Sequence, residues 1–406
     1  MPRDYDVVIS GAGMVGASLA CALAPTDLKI AIIESIELSN TEQSSYDDRG
    51  ITLSPSSKRI LEYIGVWQQV QQDVFPIKKI HVSEQGRFGF AHLDANQTAY
   101  AELGHVVVAR SLGQALHKQL KLFENITLLC PAELKHFQRV NNQMQVEVVN
   151  KGNIETISAG LLVGADGNNS LVRRLAGINM QEHDFKQTAI VVNVTTQKPN
   201  HATAYERFTS HGPVALLPIG NNKSVLVFTV STDDAKHSLS MSDKQFINKI
   251  EKEFGRRLGR IEQIGNRRAY PIIFSEATEQ YQEQLVLLGN SAHVIHPNAA
   301  QGFNLGLRDV AGLAESISTG IKKGIDINDV MLLENYLKSR ITDQKRVMRF
   351  TNGLANTFYN KWPLLNATRN LAMLIVDVIP DLKASFVETS MGLAGEQPRI
   401  VRGLSL

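Results

Sequence analysis

The amino-acid sequence predicts an α/β protein in which a Rossmann-like domain is interrupted by an antiparallel β-rich layer and followed by C-terminal helices. Two observations carry most of this. Short β-branched apolar runs lead into glycine turns at three widely separated places, beginning at Gly11, Gly164 and Gly289. Between the second and third turns, from Ala189 to Phe274, apolar residues recur with period two, the spacing of strands with one covered face. No internal repeat and no low-complexity linker separates these segments, so the β-rich part reads as an insertion into the α/β domain.

The elements follow in order. Asp6-Val7-Val8-Ile9-Ser10 offers apolar side chains to both faces, as a buried parallel strand requires. It ends at glycine, and Met14 to Ala24, rich in Ala and Leu and stopped by Pro25, predicts a helix. Leu28 to Ile33 is a second buried strand closing at Glu34, which completes a βαβ unit. A polar loop from Ser39 to Arg49 comes next, then a helix over about Ser54 to Gln72 and alternating strands from Ile77 to Tyr100. A helix over about Leu112 to Leu122 and a strand pair around Val146 and Ile154 precede the second glycine turn. Past that turn a helix starts at Ser170, and one helix, about Ser242 to Phe254, interrupts the β-rich stretch. Gln284 to Leu288 enters the third turn, a helix continues from Phe303, and segments 331–360 and 363–379 read as helical. The boundaries that result are 1–73, 97–176 and 278–345 for the interleaved α/β domain, 74–96 and 177–277 for the β-rich layer, and 346–406 for the C-terminal helices.

Composition bounds the partners. The 406 residues give two to three domains' worth of chain, and 42 Lys+Arg against 40 Asp+Glu leave a formal charge of +2. No single-sign field is available to hold a polyanion, which argues against nucleic acid. Cys21 and Cys130 are the only cysteines, so a disulfide framework, a thiol redox pair and a structural zinc site are all excluded. The start, Met1 to Asp6, lacks the apolar core of a signal peptide, and no run approaches the roughly 18 uncharged apolar residues of a spanning helix. The expected location is the cytoplasm.

The first glycine turn, Gly11-Ala12-Gly13-Met14-Val15-Gly16, lies between a strand and a helix, and Glu34 and Ser35 stand at the end of the next strand. Gly11 permits the tight turn, Gly13 lets a pyrophosphate approach the backbone, and Gly16 lets helix pack on strand. The helix N-terminus supplies amide donors and positive dipole, and Glu34 accepts from a ribose hydroxyl. Dinucleotide binding follows, without a choice between FAD and NAD. The second turn, Gly164-Ala165-Asp166-Gly167 through Arg173, and the third, Gly289-Asn290-Ser291-Ala292-His293 through Pro297 to Gln301-Gly302-Phe303-Asn304-Leu305-Gly306 and Asp309, would converge with the first on one large ligand.

With these three signatures in this order, the sequence resembles the class A flavin-dependent aromatic monooxygenases, and the likeness spans nearly the whole chain. Within that class it is most similar to the ubiquinone-biosynthesis hydroxylases. Tyr46-Asp47-Asp48-Arg49-Gly50-Ile51, Leu103-Gly104-His105-Val106-Val107, Tyr205-Glu206-Arg207-Phe208 with Gly212 to Pro218, and Gly302 to Val310 carry that similarity. Most members have Gly-Asp where this chain has Gly289-Asn290, an exchange shared with the 2-octaprenyl-6-methoxyphenol hydroxylase branch. Asparagine keeps an acceptor oxygen for a ribityl hydroxyl.

The resemblance implies a p-hydroxybenzoate hydroxylase-like fold, FAD as cofactor, NADPH or NADH as co-substrate, and hydroxylation of a polyprenyl-methoxyphenol with O2. The flavin is to be reduced, to take up oxygen at its C4a carbon and to deliver one oxygen atom to the ring, which is the cofactor's chemistry. The protein's part is to stabilise the anionic reduced flavin, and amides of a helix opening near Gly302, Phe303 and Asn304 suit that role. Pro297 either shapes the loop beside the ring or is a simple turn proline. The resemblance also assigns Arg49 and Arg110 to the pyrophosphate, His105 to an FAD contact, and Asp166 with Arg173 to FAD and the pyridine nucleotide together. Asp166 as a helix cap is the plainer alternative.

No catalytic acid or base is assigned. His293 and His296, three residues apart without a nearby carboxylate, read as packing or loop hydrogen bonding and not as a metal pair, so no metal is assigned. Tyr205, Arg207 and His211 lie on the inserted layer where substrate is expected, and a strand face needs such residues for packing as well. A disulfide reductase is excluded by the missing cysteine pair, and a flavin halogenase by Trp67 and Trp362 standing alone in their segments. The surviving rivals are hydroxylation at another ring position and a flavin-bearing scaffold of a multi-protein biosynthetic assembly. Lys338, Arg340, Lys345, Arg346 and Arg349, followed by Leu371 to Val376, form either a solvated face with a packed helix or a docking surface for a lipid-carrying partner or the inner membrane.

Overall fold

The structure, a computed structural model, describes residues 3–37, 49–87, 90–297, 300–359, 388–389 and 391–406, with side chains of 354–359 left aside. Tyr46, Asp47, Asp48, Trp362, most of the polar loop from Ser39, the helix expected over 363–379 and its Leu371 to Val376 run lie outside the described residues.

Strand β1 (Tyr5–Ser10) lies parallel between β2 (Ile30–Ile33) and β11 (Asn153–Gly164), with β8 (Ile126–Leu129) beyond β2 and β19 (Leu285–Leu287) beyond β11. β18 (Tyr281–Gln282) closes that edge antiparallel. Val7, Val8 and Ile9 are wholly buried because both sides of this sheet are covered. Helices α1 (Met14–Leu23), α4 (Ala109–Leu120) and α8 (Gly302–Lys322) cover one side, contributing Leu19, Leu112 and Val310 to a core with Val7 and Ile9. Strands β9 (Ala132–Val140) and β10 (Gln143–Asn150) cover the other, packing Leu134 and Val146 against Val8 and Leu162. β11 serves both parts: its first half pairs antiparallel with β10 and its second half parallel with β1.

The β-rich layer is a second, separate sheet. Its spine is β12 (Met180–Thr196), flanked by β15 (Lys223–Ser231), β14 (Gly212–Pro218), β13 (Thr203–Thr209), β5 (Lys79–Glu84) and β6 (Phe90–Asp94) on one side. On the other stand β17 (Arg268–Ala277) and β20 (His293–Val294), and β16 (Ile261–Ile264) also pairs with β12. Alternation sorts its faces. Ile190, Val192, Leu216, Leu226 and Phe228 pack under α6 (Thr232–Ser240) and α7 (Asp243–Phe254) through Phe246, Ile250 and Phe254. The opposite face meets a three-stranded sheet of β3 (Gly50–Leu53), β7 (Gly104–Val108) and β4 (Val74–Ile77). There Val225 reaches Gly50, and Ala204 and Leu217 cluster with Ile77 and Val106. β4 thus belongs with β3 and β7, while β5 and β6 join the β-rich sheet.

Two elements differ from expectation. The helix over Ser54 to Gln72 is divided into α2 (Pro55–Tyr63) and α3 (Trp67–Val70), with Gly65 at φ +74° between them. Helix α6 occupies residues expected to be β-rich; Ser231 caps it by accepting from the Asp234 amide, and Asp233 and Asp234 favour its first turn.

Helix α9 (Val330–Tyr359) packs along α8 through a buried ionic chain, and α5 (Leu171–Leu175) follows the second glycine turn. His293 Nε2 meets Asp309 Oδ2 at 2.7 Å, Asp309 Oδ1 accepts from Arg340 Nε at 2.9 Å, and Asp343 Oδ2 accepts from Arg340 and, at 2.8 Å, from Arg308 Nε. Arg308, Asp309 and Arg340 have no exposed surface. Burial alone would push the carboxyls of Asp309 and Asp343 up, but the guanidiniums beside them hold both below the ordinary carboxylate value. The chain's last residues return to the core, where Ile400 and Val401 are buried and the Val401 carbonyl accepts from Arg59.

Candidate active site

The three glycine turns meet. Gly11 has φ +103°, and a Cβ there would stand 2.5 Å from the Ala165 carbonyl oxygen of the second turn. A Cβ on Gly16 would stand 2.0 Å from the Gly11 carbonyl oxygen. Gly289 of the third turn and Gly306 both pack on Val15, where a Cβ would lie 3.0 and 3.2 Å from its methyl. At Gly11 and Gly16, where the neighbour is backbone, only glycine allows the approach.

Ala12 is fixed from two sides. Its amide donates to Glu34 Oε2 at 2.8 Å, and its carbonyl accepts from His117 Nε2 at 2.7 Å, so that nitrogen carries the proton. Burial lowers the His117 pKa, against the pull of the Ala12 bond, which keeps the neutral ring as donor. The other Glu34 oxygen accepts from the Ile36 amide at 2.9 Å. Gly13 caps α1 with no side-chain bond, so the amides of Met14, Val15 and Gly16 precede the first ladder bond, Ala17 to Gly13. That is an anion-binding helix N-terminus. Ser35 is exposed beside it.

Asp166 and Arg173 tie the second turn to the third. Asp166 Oδ2 accepts from the amides of Leu171 at 2.7 Å and Val172 at 3.1 Å, and Oδ1 from Ser291 Oγ at 3.1 Å. Arg173 is buried and donates to the carbonyls of Ser291 and Asn168. Both side chains cap and brace; Asn290, next to Ser291, is exposed.

Asn304 makes four side-chain bonds. Its Oδ1 accepts from the Ser54 amide at 2.8 Å and Ser57 Oγ at 2.7 Å, and its Nδ2 donates to the carbonyls of Thr52 and Ala300 at 2.8 Å each. That uses the whole amide group, so Asn304 can serve a ligand through its backbone only. Phe303 packs on the helix-side core, and Pro297 is exposed. The amides of Gly302, Phe303 and Asn304 precede the first ladder bond of α8, Leu305 to Gln301 at 2.8 Å, which makes this a second positive helix end.

Arg49 and Arg110 come together because the Ala109 amide donates to the Arg49 carbonyl at 2.9 Å. The Arg49 guanidinium lies 4.6 Å from the centre of the Tyr270 ring on β17, joining the segment before β3 to the β-rich sheet. His105 is buried, bonded to Glu102 at 2.7 Å and edge-on to Trp67 at 5.0 Å; burial lowers its pKa against the pull of Glu102. His293 bonds Asp309, and His296 stands edge-on to Phe185 at 4.7 Å.

Three residues of the inserted layer are not where substrate was expected. Tyr205 packs against Phe254, Arg207 donates to the Phe254 carbonyl, and both therefore face α7. His211 is exposed. Glu206, between Tyr205 and Arg207, lies on the opposite face, turned to the β3–β7–β4 sheet, and burial pushes its carboxyl up to about 7.

The FAD binding domain family matches residues 4–351. This chain belongs to the class A flavin ubiquinone hydroxylases. It is 33% identical over 404 residues to ubiquinone hydroxylase UbiL of Rhodospirillum rubrum, covering 99% of this chain and 93% of that one. It is 31% identical to 3-demethoxyubiquinol 3-hydroxylase of Escherichia coli, covering 96% and 99%. The fold matches p-nitrophenol 4-monooxygenase PnpA of Pseudomonas putida with TM-score 0.80 at 16% identity, covering 98% of this chain and 100% of that one. The protein is therefore an FAD-dependent aromatic hydroxylase, and dependence on NAD(P)H is general in its family.

The residues fit FAD: two uncapped helix N-termini, glycines that no side chain can replace, a carboxylate closing the second strand and a pair of arginines. When bound, FAD supplies hydride acceptance and oxygen activation. The chain supplies geometry, because each turn is bonded to its neighbours before any ligand arrives.

Proposed function

We propose that this hydroxylase acts on the aromatic ring of a polyprenyl-methoxyphenol in ubiquinone biosynthesis, using NAD(P)H and O2. The amides at the α1 N-terminus, with Arg49 and Arg110, hold the pyrophosphate, Glu34 holds ribose, Asn290 meets the ribityl chain, and the amides of 302–304 face the flavin ring. Asp166, Arg173 and His105 position these groups. The supporting observation is the sheet face turned to the flavin side, where Ala204, Ala215, Leu217, Val225 and Val227 are apolar. Such a surface suits a neutral, greasy substrate. An open cleft of about 450 Å3 between Phe274 and Glu276 of β17 and Met348 and Arg349 of α9 gives the isoprenoid tail a way out.

Among the described residues no helix is long and apolar enough to cross a membrane. We therefore propose that the substrate is reached by peripheral contact with the inner membrane or within a multi-protein biosynthetic assembly. The test is mass spectrometry of quinone precursors in a deletion strain, with the purified yellow protein assayed alongside. A precursor short of one hydroxyl must accumulate and be converted by the protein; normal quinone content in the deletion strain refutes the reading.

A further inference from the structure

Glu206 is a carboxylate with no hydrogen bond or ion pair among the described residues, set in an apolar surface at the place where the two domains face each other. On β13 the side chains of Ala204, Glu206 and Phe208 share one face, opposite that of Tyr205 and Arg207. Register puts Glu206 beside Ala215 of β14 on one side and Val82 of β5 on the other, with Val227 one strand beyond Ala215, about 10 Å away. This face packs on the flavin side: Val225 touches Gly50, which follows Arg49, and Ala204 and Leu217 reach Val106. Thr52, two residues past Gly50, has a buried hydroxyl without a partner. Tyr270, under the Arg49 guanidinium, extends the same face across β12 and β15.

We propose that Glu206 is the catalytic residue that receives the ring hydroxyl of the phenol, accepting its hydrogen bond and, during turnover, its proton. The inference deepens the reading above and rests on the substrate being a phenol. Leaving a carboxylate desolvated and unpaired is costly, and no hydrogen bond or ion pair of Glu206 exists among the described residues to offset it. A purely structural glutamate would be bonded, as Glu34, Glu102 and Glu251 are. Part of its surface remains open, on the face that packs against the β3–β7–β4 sheet.

The step balances simply. The phenol O–H bond breaks, the proton goes to a Glu206 oxygen, and the electron pair stays on the phenolate oxygen and enriches the ortho and para carbons. The same proton returns to that oxygen when product leaves. A carboxyl raised by burial to about 7 can take and return a proton near neutral pH. The charged groups on the same face are Glu84, two residues along β5 from Val82, Arg49 above Tyr270, Arg268, two residues before Tyr270 on β17, and Lys223 at the start of β15. From β14 and β15 the face receives Ala215, Leu217, Val225, Val227 and Thr229, none of which titrates.

The test uses FAD-loaded wild type, Glu206→Gln and Glu206→Asp with 2-methoxy-6-geranylphenol as probe. Binding is read from the phenolate difference spectrum and turnover from product mass, NAD(P)H consumed and peroxide released. Glu206→Gln should keep its flavin, lose the phenolate signal and hydroxylate about 100-fold or more slowly, with NAD(P)H oxidation running on to peroxide. The acid limb of the kcat/KM profile near pH 7 should disappear, and Glu206→Asp should restore part of the rate. If wild type binds and hydroxylates the probe and Glu206→Gln does so within twofold, this inference alone falls. If wild type neither binds nor hydroxylates it, the substrate reading falls and takes the inference with it. Should Glu206→Gln fail to hold flavin, an unchanged phenolate signal and pH profile in Glu206→Asp would overturn the proposal equally.

Discussion

Replacing Asp343 by Asn should destabilise the protein by about 3 kcal/mol, most of it through Arg308. Asp343 Oδ2 is the acceptor for both Arg308 Nε, at 2.8 Å, and Arg340. Arg340 keeps a second carboxylate in Asp309, 2.9 Å away, whereas Arg308 is left with a long 3.4 Å bond to the Asn304 carbonyl. The substitution keeps volume and one acceptor oxygen but leaves the Arg308 charge, which has no exposed surface, without a counter-ion. Breaking a buried pair in this way costs roughly 3–5 kcal/mol, and the retained oxygen argues for the lower end. The assay is urea unfolding of FAD-loaded protein followed by circular dichroism and flavin fluorescence. Removing the stranded charge with Arg308→Met should recover more than 1 kcal/mol in the double variant, since residues sharing one contact do not behave additively. A single variant within about 1 kcal/mol of wild type, or a double variant equal to the sum of the singles, would refute the ion chain as the clamp between α8 and α9.

Gly16→Ala should give colourless protein, because its Cβ would stand 2.0 Å from the Gly11 carbonyl oxygen; stoichiometric flavin absorbance would contradict this. His117→Ala removes the donor to the Ala12 carbonyl and should weaken FAD binding about tenfold, a loss within the roughly 1–3 kcal/mol of an unmet buried acceptor. Fluorescence titration of apoprotein checks it, and an unchanged Kd would show the bond to be idle. Burial moves the Glu206 carboxyl from its usual 4.5 to about 7. The folded state therefore holds that proton more tightly than the unfolded one, and the contribution is fully present below pH 4.5 and lost as pH rises through 7. Glu206→Gln should match wild type in acid and exceed it by up to roughly 3 kcal/mol above neutrality; parallel denaturation curves across that window would falsify the assignment.

What the sequence reveals here is what its local spacing encodes. The βαβ unit with Glu34 is legible because every part of it lies within thirty-odd residues of Gly11, and the observed β1, α1 and β2 follow the expected bounds closely. His117 is not legible: its partner Ala12 lies 105 positions away, and a histidine on a helix with Leu112 and Leu116 carries no mark of it. Asn304 is found by its motif, but the direction of its side chain is decided, besides Ala300 one turn earlier, by Ser54, Ser57 and Thr52, which only folding brings near. Tyr205 and Glu206 show the limit of period-two reasoning. Both faces of that strand are covered, one by α7 and one by the β3–β7–β4 sheet, so alternation separates the two sets without saying which meets which layer. The first turn of α6 was signalled by Ser231 with Asp233 and Asp234, a local cue outweighed by the surrounding alternation.

The strand order has a temporal meaning. β1 leaves the ribosome before the strands beside it, for its neighbour β11 begins at Asn153 and the outer strand β19 at Leu285, with the α8 end proposed to face the flavin starting at Gly302. The glycine turns therefore cannot come together until some three hundred residues have been made, with the β-rich insertion synthesised in the interval. A nascent or clipped chain that stops short of α8 would carry the complete first glycine motif and still be unable to retain a flavin. Holding the yellow cofactor would then report that the chain has been made and threaded at least as far as α8.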